Sequence, residues 1–300
     1  PAPGTKVESQ NSKIILYTDC EPEKLTATVP DLSGKTAVAA NEILEICGIV
    51  NGTANYIFTR MVQDGIPFGE ALKSAQANGY AEQDPTADVE GMDTCRKLCI
   101  LSSIAYGWHL LPEQVPTKGI TKITLADEAY AAVSGYRIKL LGRAIAQEDG
   151  SVCPFVEPHF VSLQDPLGGV EDVFNAIKVK GDAVGDVMFY GRGAGKLPTA
   201  SAVVADVIDC VKNAGKNIPC LWSPEEAKIA DIAEVERKFF LRVSASGMDA
   251  VKAAFPGGQV ITVEGREDAG YVTASVKEKE FAAKCETLGD VVLSKIRMGE

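Results

Sequence analysis

Between Asn78 and Ser103 runs the segment NGYAEQDPTADVEGMDTCRKLCILSS, in which Glu82, Asp84, Asp88, Glu90 and Asp93 stand ahead of Arg96 and Lys97. Carboxylates this close to a lysine can do two kinds of chemistry. They can take the ammonium group of a small zwitterion, and they can hold a lysine charged and aimed at a hydroxyl or carbonyl oxygen. Asp93 and Lys97 are four apart, which makes them neighbours on one helix face with the acid N-terminal. Read structurally, the same pair is a surface contact worth about 0.2–0.5 kcal/mol. Ile100, Leu101 and Ile104 fall three, four and seven residues beyond Lys97. That stripe is expected to be buried, and a buried lysine must be paired or put to use. Residue types alone leave both readings open.

The elements that would position these groups can be read from the flanking pattern. ANEILEICGIV predicts a strand and NGTANYIFTRMVQDG a helix, capped by Asn51 or Thr53. Asn51 and Thr53 then either face the substrate or serve only as caps. PFGEALKSAQANG predicts a second helix, ended by Gly79. A third helix is expected from about Asp88 to Tyr106. Pro85 biases Asp84 away from helix, so GYAEQDP stays extended and lets Glu82 fold back over the helix start. Strands follow in YRIKLLGRAIAQ, SVCPFVEPHFV, FNAIKVKG and DVMFYG. LPTASAVVADVIDCVKNAG reads as a long amphipathic helix, with Val203, Val204, Val207, Ile208 and Val211 at helical spacing. KNIPCLWSPEEAK reads as a linker. In the tail, KFFLRVSA, MDAVKAAF, QVITVEGRE, GYVTASVKE, EFAAKCETLG and DVVLSKIRM give βαββαβ, the ferredoxin-like order.

Composition narrows the function. The chain has 300 residues, 46% hydrophobic and 24% charged, with a formal net charge of -11. It has no basic run to neutralise phosphates, which argues against nucleic acid as a partner. No apolar stretch approaches the roughly 20 residues of a membrane span. The eight cysteines (Cys20, Cys47, Cys95, Cys99, Cys153, Cys210, Cys220 and Cys285) are scattered without a C-x-x-C. They read as small buried hydrophobes in a reducing, cytoplasmic setting, and no metal site is expected. His109 and His159 read as packing or surface residues, Trp108 and Trp222 as core fillers. The first residue is Pro1, so the chain is expected to be processed or a fragment.

The segment AQANGYAEQDPTADVEGMDTCRK resembles the signature of homoserine dehydrogenases through Ala75, Gly79, Tyr80, Ala81, Asp84-Pro85, Asp88-Val89, Gly91, Asp93 and Lys97. GIVNGTANYIFTRM and GDVMFYGRGAGKLPTASAVVADVID also look like segments of that family. The resemblance covers roughly residues 38–215. It implies NAD- or NADP-dependent interconversion of L-homoserine and aspartate semialdehyde, in threonine, methionine and isoleucine biosynthesis. It implies that Lys97 is the proton donor, that Glu82 and Asp93 bind the substrate, chiefly its amino group, and that Asp88, Asn51 and Thr53 lie with them. Gly79 and Gly195 would lie against the cofactor. The expected architecture is α+β: an irregular segment 1–37, a mixed-sheet catalytic domain 38–215, a linker 216–234 and an ACT-like domain 235–300, assembled as a homodimer or homotetramer.

Three departures from the family follow. No G-x-G-x-x-G occurs, SGKT lacks the first glycine of a phosphate loop, and residues 1–37 match neither the family's sodium-binding loop nor its cofactor-contacting lysine. The chain is therefore expected to hold catalytic and regulatory parts without the nucleotide-binding domain. SASGMDAV lacks the proline of the usual ACT effector turn, which favours a dimerisation or structural role for the tail. The rival reading is a catalytically silent amino-acid-sensing or oligomerisation module.

Overall fold

The computed structural model describes residues 41–217 and 222–299. The irregular segment 1–37, the strand expected in KIILYTDC, Cys20 and Cys220 lie outside the described residues.

The first described strand, β1 (Ile43–Ile49), runs into α1 (Gly52–Asp64), followed by α2 (Phe68–Ala77), α3 (Thr86–Val89), α4 (Met92–Tyr106) and α5 (Leu125–Val133). Four strands come next: β2 (Tyr136–Ala146), β3 (Val152–Ser162), β4 (Phe174–Gly181) and β5 (Gly185–Arg192), then α6 (Lys196–Lys212). The remainder is β6 (Glu236–Arg237), β7 (Phe239–Val243), α7 (Met248–Ala254), β8 (Gln259–Ile261), β9 (Ala269–Val272), β10 (Val276–Lys277), α8 (Glu278–Leu288) and β11 (Val292–Met298). The chain is α+β, built on one large mixed sheet of order β5-β4-β1-β2-β3-β11-β7-β9-β8. All its pairings are antiparallel except β3 with β11.

Helices α1, α2, α4 and α5 close one face of this sheet. Their inner residues, among them Ile57, Phe58, Met61, Leu98 and Tyr130, share one core with Ile138, Phe160, Phe240 and Ile296. The main core thus draws residues from the tail strands as well. A second cluster under α7 and α8 holds Phe239, Leu241, Tyr271 and Phe281.

Several expectations change. The helix expected over 88–106 is two: Gly91 has φ +80°, a conformation that favours glycine, and the chain turns there between α3 and α4. The tail strands are shorter than expected, and Val276–Lys277 leaves the sheet to pair with Glu236–Arg237. The tail is not set apart, because Arg297 and Met298 pair in parallel with His159 and Phe160 of β3. Residues 222–230 of the stretch expected as a linker are fastened to the rest of the chain: the His109 amide donates to Glu225 O, and the Val152 amide, at the start of β3, to Lys228 O. Helix α6 forms as expected, but none of its residues is buried. Cys210 on it is exposed, whereas Cys47, Cys95, Cys99, Cys153 and Cys285 are buried. Trp108, expected in a core, is 41% exposed.

Two prolines mark the outer side of β3. The Val156 amide donates to Pro116 O, away from β2, so amides of even-numbered residues point outward there. Pro154 and Pro158, two residues to either side, have no N–H to offer on that edge.

Candidate active site

The turn from β1 into α1 sets the first part of the site. Asn51 caps α1: its Oδ1 accepts from the Ala54 amide at 2.7 Å. The same side chain's Nδ2 donates to Asp88 Oδ1 at 2.7 Å and Asp93 Oδ2 at 2.8 Å. Asn51 is therefore both cap and bridge, and it ties α1 to the two carboxylates. Thr53 does not cap. Its hydroxyl donates to Tyr80 O at 2.6 Å and fixes the loop after α2. That loop turns at Gly79, with φ +73° and the Tyr80 amide returning to Ala75 O at 2.9 Å.

Asp84 holds α3 in place by accepting from the Thr86 hydroxyl at 2.6 Å and the Thr86 amide at 3.1 Å, and these bonds lower its pKa. Beyond Gly91, the first turn of α4 presents Asp93. One turn on, Lys97 donates to Asp93 Oδ2 at 2.8 Å and to Val50 O at 3.0 Å.

The buried-stripe expectation for Lys97 fails. Helix α4 buries Thr94, Cys95, Leu98, Cys99, Ser102 and Ser103, while the Lys97 side chain is 46% exposed and Ile100 53% exposed. The stripe was read about one residue out of phase. Lys97 and Asp93 lie on the open side of the helix and look into a cleft of about 620 Å³.

All eight residues singled out in the sequence (Asn51, Thr53, Gly79, Glu82, Asp88, Asp93, Lys97 and Gly195) line this one cleft. The sequence reading missed Asn175, Gly193, Arg192 and Arg96, which line it too. Asn175 donates to Val50 O at 3.4 Å, the carbonyl that Lys97 uses, and its Oδ1 is buried without a partner among the described residues. A Cβ on Gly193 would sit 1.8 Å from Asn175 Nδ2, so a larger residue there would displace the Asn175 side chain. Asn175, a polar residue opening the apolar strand FNAIKVKG, was the available signal. Gly195 has φ +114° and ψ 162°, a glycine-only region, and it opens α6 without a side-chain cap.

The cleft has spare bonding capacity. A lysine ammonium has three donors, and Lys97 spends two on the protein. The hydrogen bonds of Asp93 and Asp88 each fall on one oxygen, leaving the other carboxylate oxygen open. The Glu82 side chain is exposed and has no hydrogen bond or ion pair among the described residues. The arrangement can therefore hold an ammonium group among carboxylates, with one N–H of Lys97 left for a neutral oxygen.

A mixed α+β scaffold here presents a lysine and four carboxylates to one glycine-lined cleft, an arrangement suited to a small polar ligand. The chain belongs to the homoserine dehydrogenase family, whose model matches residues 31–208. The match begins inside the segment expected to be unrelated and stops short of residue 215. The chain is similar to a homoserine dehydrogenase of Pseudomonas aeruginosa, 40% identical over 254 residues, which cover 82% of this chain and 57% of the relative. It also resembles the crystal structure of a homoserine dehydrogenase from Thiobacillus denitrificans. There the TM-score is 0.75 at 34% identity, covering 87% of this chain and 65% of that one. A hyperthermophilic archaeal homoserine dehydrogenase in complex with NADPH matches with a TM-score of 0.50 at 27% identity, over 61% of this chain and 51% of that one. The chain thus spans somewhat more than half the length of the curated relative and about two thirds of the bacterial structure.

Proposed function

We propose that the chain carries the substrate-binding and proton-transfer machinery of a homoserine dehydrogenase, an oxidoreductase of amino-acid biosynthesis that interconverts L-homoserine and aspartate 4-semialdehyde. The observation that carries this is the position of Lys97. It is held by Asp93 and the Val50 carbonyl, keeps one donor unspent, and faces the cleft.

The substrate's ammonium group sits among Glu82, Asp88 and Asp93. Its oxygen lies against Lys97, which gives a proton as the carbonyl is reduced and takes one as the alcohol is oxidised. Asp93 holds the lysine aimed into the cleft. Asn51 fixes Asp93 and Asp88 relative to α1, so the cluster needs little rearrangement to act.

The residues present fit one wall of a dinucleotide site. Gly79 leaves its backbone open, with nothing within 4 Å of an added Cβ. The uncapped N-terminus of α6, flanked by Arg192 and Lys196, suits a phosphate group. When bound, NAD or NADP supplies or accepts the hydride. The tail, with the order β11-β7-β9-β8 and helices α7 and α8, is read as an ACT-like unit spanning 235–300, and a cytoplasmic homodimer or homotetramer is the proposed setting.

Calorimetric titration of the chain with L-homoserine tests the reading. Saturable binding is expected, weakened by Glu82→Gln. Binding that is absent, or that is untouched by Glu82→Gln, would refute the assignment of the cleft.

A further inference from the structure

A second cleft, of about 630 Å³, opens on another part of the molecule and is used by nothing described so far. It lies where β11 splays from β3. The two strands pair only at Arg297 and Met298, so residues 292–295 diverge and leave a wedge. The loop 117–123 forms its other wall. In a chain of net charge -11, this wedge is lined by three lysines, Lys118, Lys122 and Lys295, against a single glutamate, Glu90. Lys118 is partly spent on Glu157 at 2.7 Å. Lys122 and Lys295 are exposed and have no hydrogen bond or ion pair among the described residues. Ile123, Pro158 and Val292 give the cleft apolar wall as well as charge.

We propose that this cleft binds a small organic acid, with its carboxylates held by Lys122 and Lys295 and its carbon skeleton against Ile123, Pro158 and Val292. The same loop is fastened to the turn that carries the acids of the first cleft. The Ile120 amide donates to Val89 O at 2.8 Å, and the Thr121 hydroxyl donates to Glu90 Oε1 at 3.2 Å. A Cβ on Gly119 would fall 2.3 Å from Val89 O, so the two segments are in close backbone contact. Asp88 and Asp93 flank this turn. A ligand that stiffens loop 117–123 therefore stiffens the mounting of both carboxylates. The site does not depend on the function proposed for the first cleft.

The probe is succinate, titrated calorimetrically into the chain at low salt, where lysine–carboxylate attraction is least screened. The expected Kd is on the order of 1 mM or tighter, and the Lys122→Ser/Lys295→Ser double variant should bind at least about tenfold more weakly. Both lysines are exposed, so the variant should fold, and circular dichroism checks this. Lys97→Ala should bind succinate as the parent does, which separates this site from anion capture in the first cleft. Inorganic phosphate should bind less tightly, since it cannot use the apolar wall. Amide exchange over residues 88–94 and 117–123 should slow when succinate is bound. The proposal is overturned by failure to saturate, by equal affinity in the double variant, or by loss in Lys97→Ala. Phosphate binding as tight as succinate would overturn the organic-acid assignment, and unchanged exchange over residues 88–94 would overturn the coupling.

Discussion

The molecule holds two clusters built from the same parts, a carboxylate, a cation and a neighbouring acid. In one, Asp93 meets Lys97 with side chains 30% and 46% exposed, and Asp88 stands beside them. In the other, Glu157 on β3 meets Arg297 on β11 with side chains 8% and 1% exposed, and Glu278 and Lys118 complete the set. The open cluster keeps donors and acceptors unspent. In the buried cluster, burial pushes the Glu157 carboxyl up, but the charges of Arg297 and Lys118 prevail and hold it down at about 2. Charge pairs of one composition thus divide by access. The accessible pair can act on a ligand, and the sealed pair fastens the tail to the rest of the sheet.

The largest break should come at the open pair. Lys97→Ala should lower turnover of homoserine about a hundredfold to ten-thousandfold, with the melting temperature nearly unchanged. Steady-state rates measured alongside thermal unfolding check this, and a fully active but destabilised variant would reverse the assignment. The sealed pair should behave the opposite way. Glu157→Leu leaves Arg297 short of a partner and should cost about 3–5 kcal/mol of stability, read by denaturant unfolding, with the geometry of the open cluster retained.

A smaller effect should separate members of the open cluster. Glu82→Gln keeps shape but loses charge, so it should raise KM for homoserine far more than it lowers kcat.

The mildest test sharpens the sealed region through pH. Burial lowers the pKa of His159 from 6.5 to about 3, so the folded state resists a proton that the unfolded chain accepts. The stability this gives up is lost as pH falls from about 6.5 toward 3, and the depressed carboxyl of Glu157 adds to the loss between about 4.5 and 2. His159→Phe should flatten the upper part of that acid slope in melting temperature, and an unaltered slope would remove His159 as its cause.

Much of this was legible in advance. The helices α1, α2 and α6, the strands β2 to β5 and all eight cleft residues followed from periodicity, turn residues and the family signature. What failed did so for specific reasons. Three apolar positions after Lys97 were read as an inward stripe, yet small residues, Thr94, Cys95, Cys99, Ser102 and Ser103, make up most of the packed side of α4. Close helix–sheet approach selects for size there, and hydrophobicity patterns miss it. The wedge between β3 and β11 joins segments far apart in sequence, and no local pattern announces it. The Asn175 side chain lies against Gly193, just past the end of β5, so neither is informative alone. The apolar stripe of α6 predicted a helix correctly, and Val203, Val204, Val207, Ile208 and Val211 stand exposed on it.

The parallel join of β3 to β11 has a consequence for how the chain is made. Glu157 and Arg297 are 140 residues apart, so on a ribosome the outer side of β3 beyond Val156, which pairs with Pro116 and Lys118, must wait while that length emerges. A bare strand edge is a template for stray pairing and aggregation. Here the two amides that would flank Val156 on that side are missing, because Pro154 and Pro158 stand in their place. The waiting stretch offers an intruder few donors, and β11 needs only its last two residues to dock there.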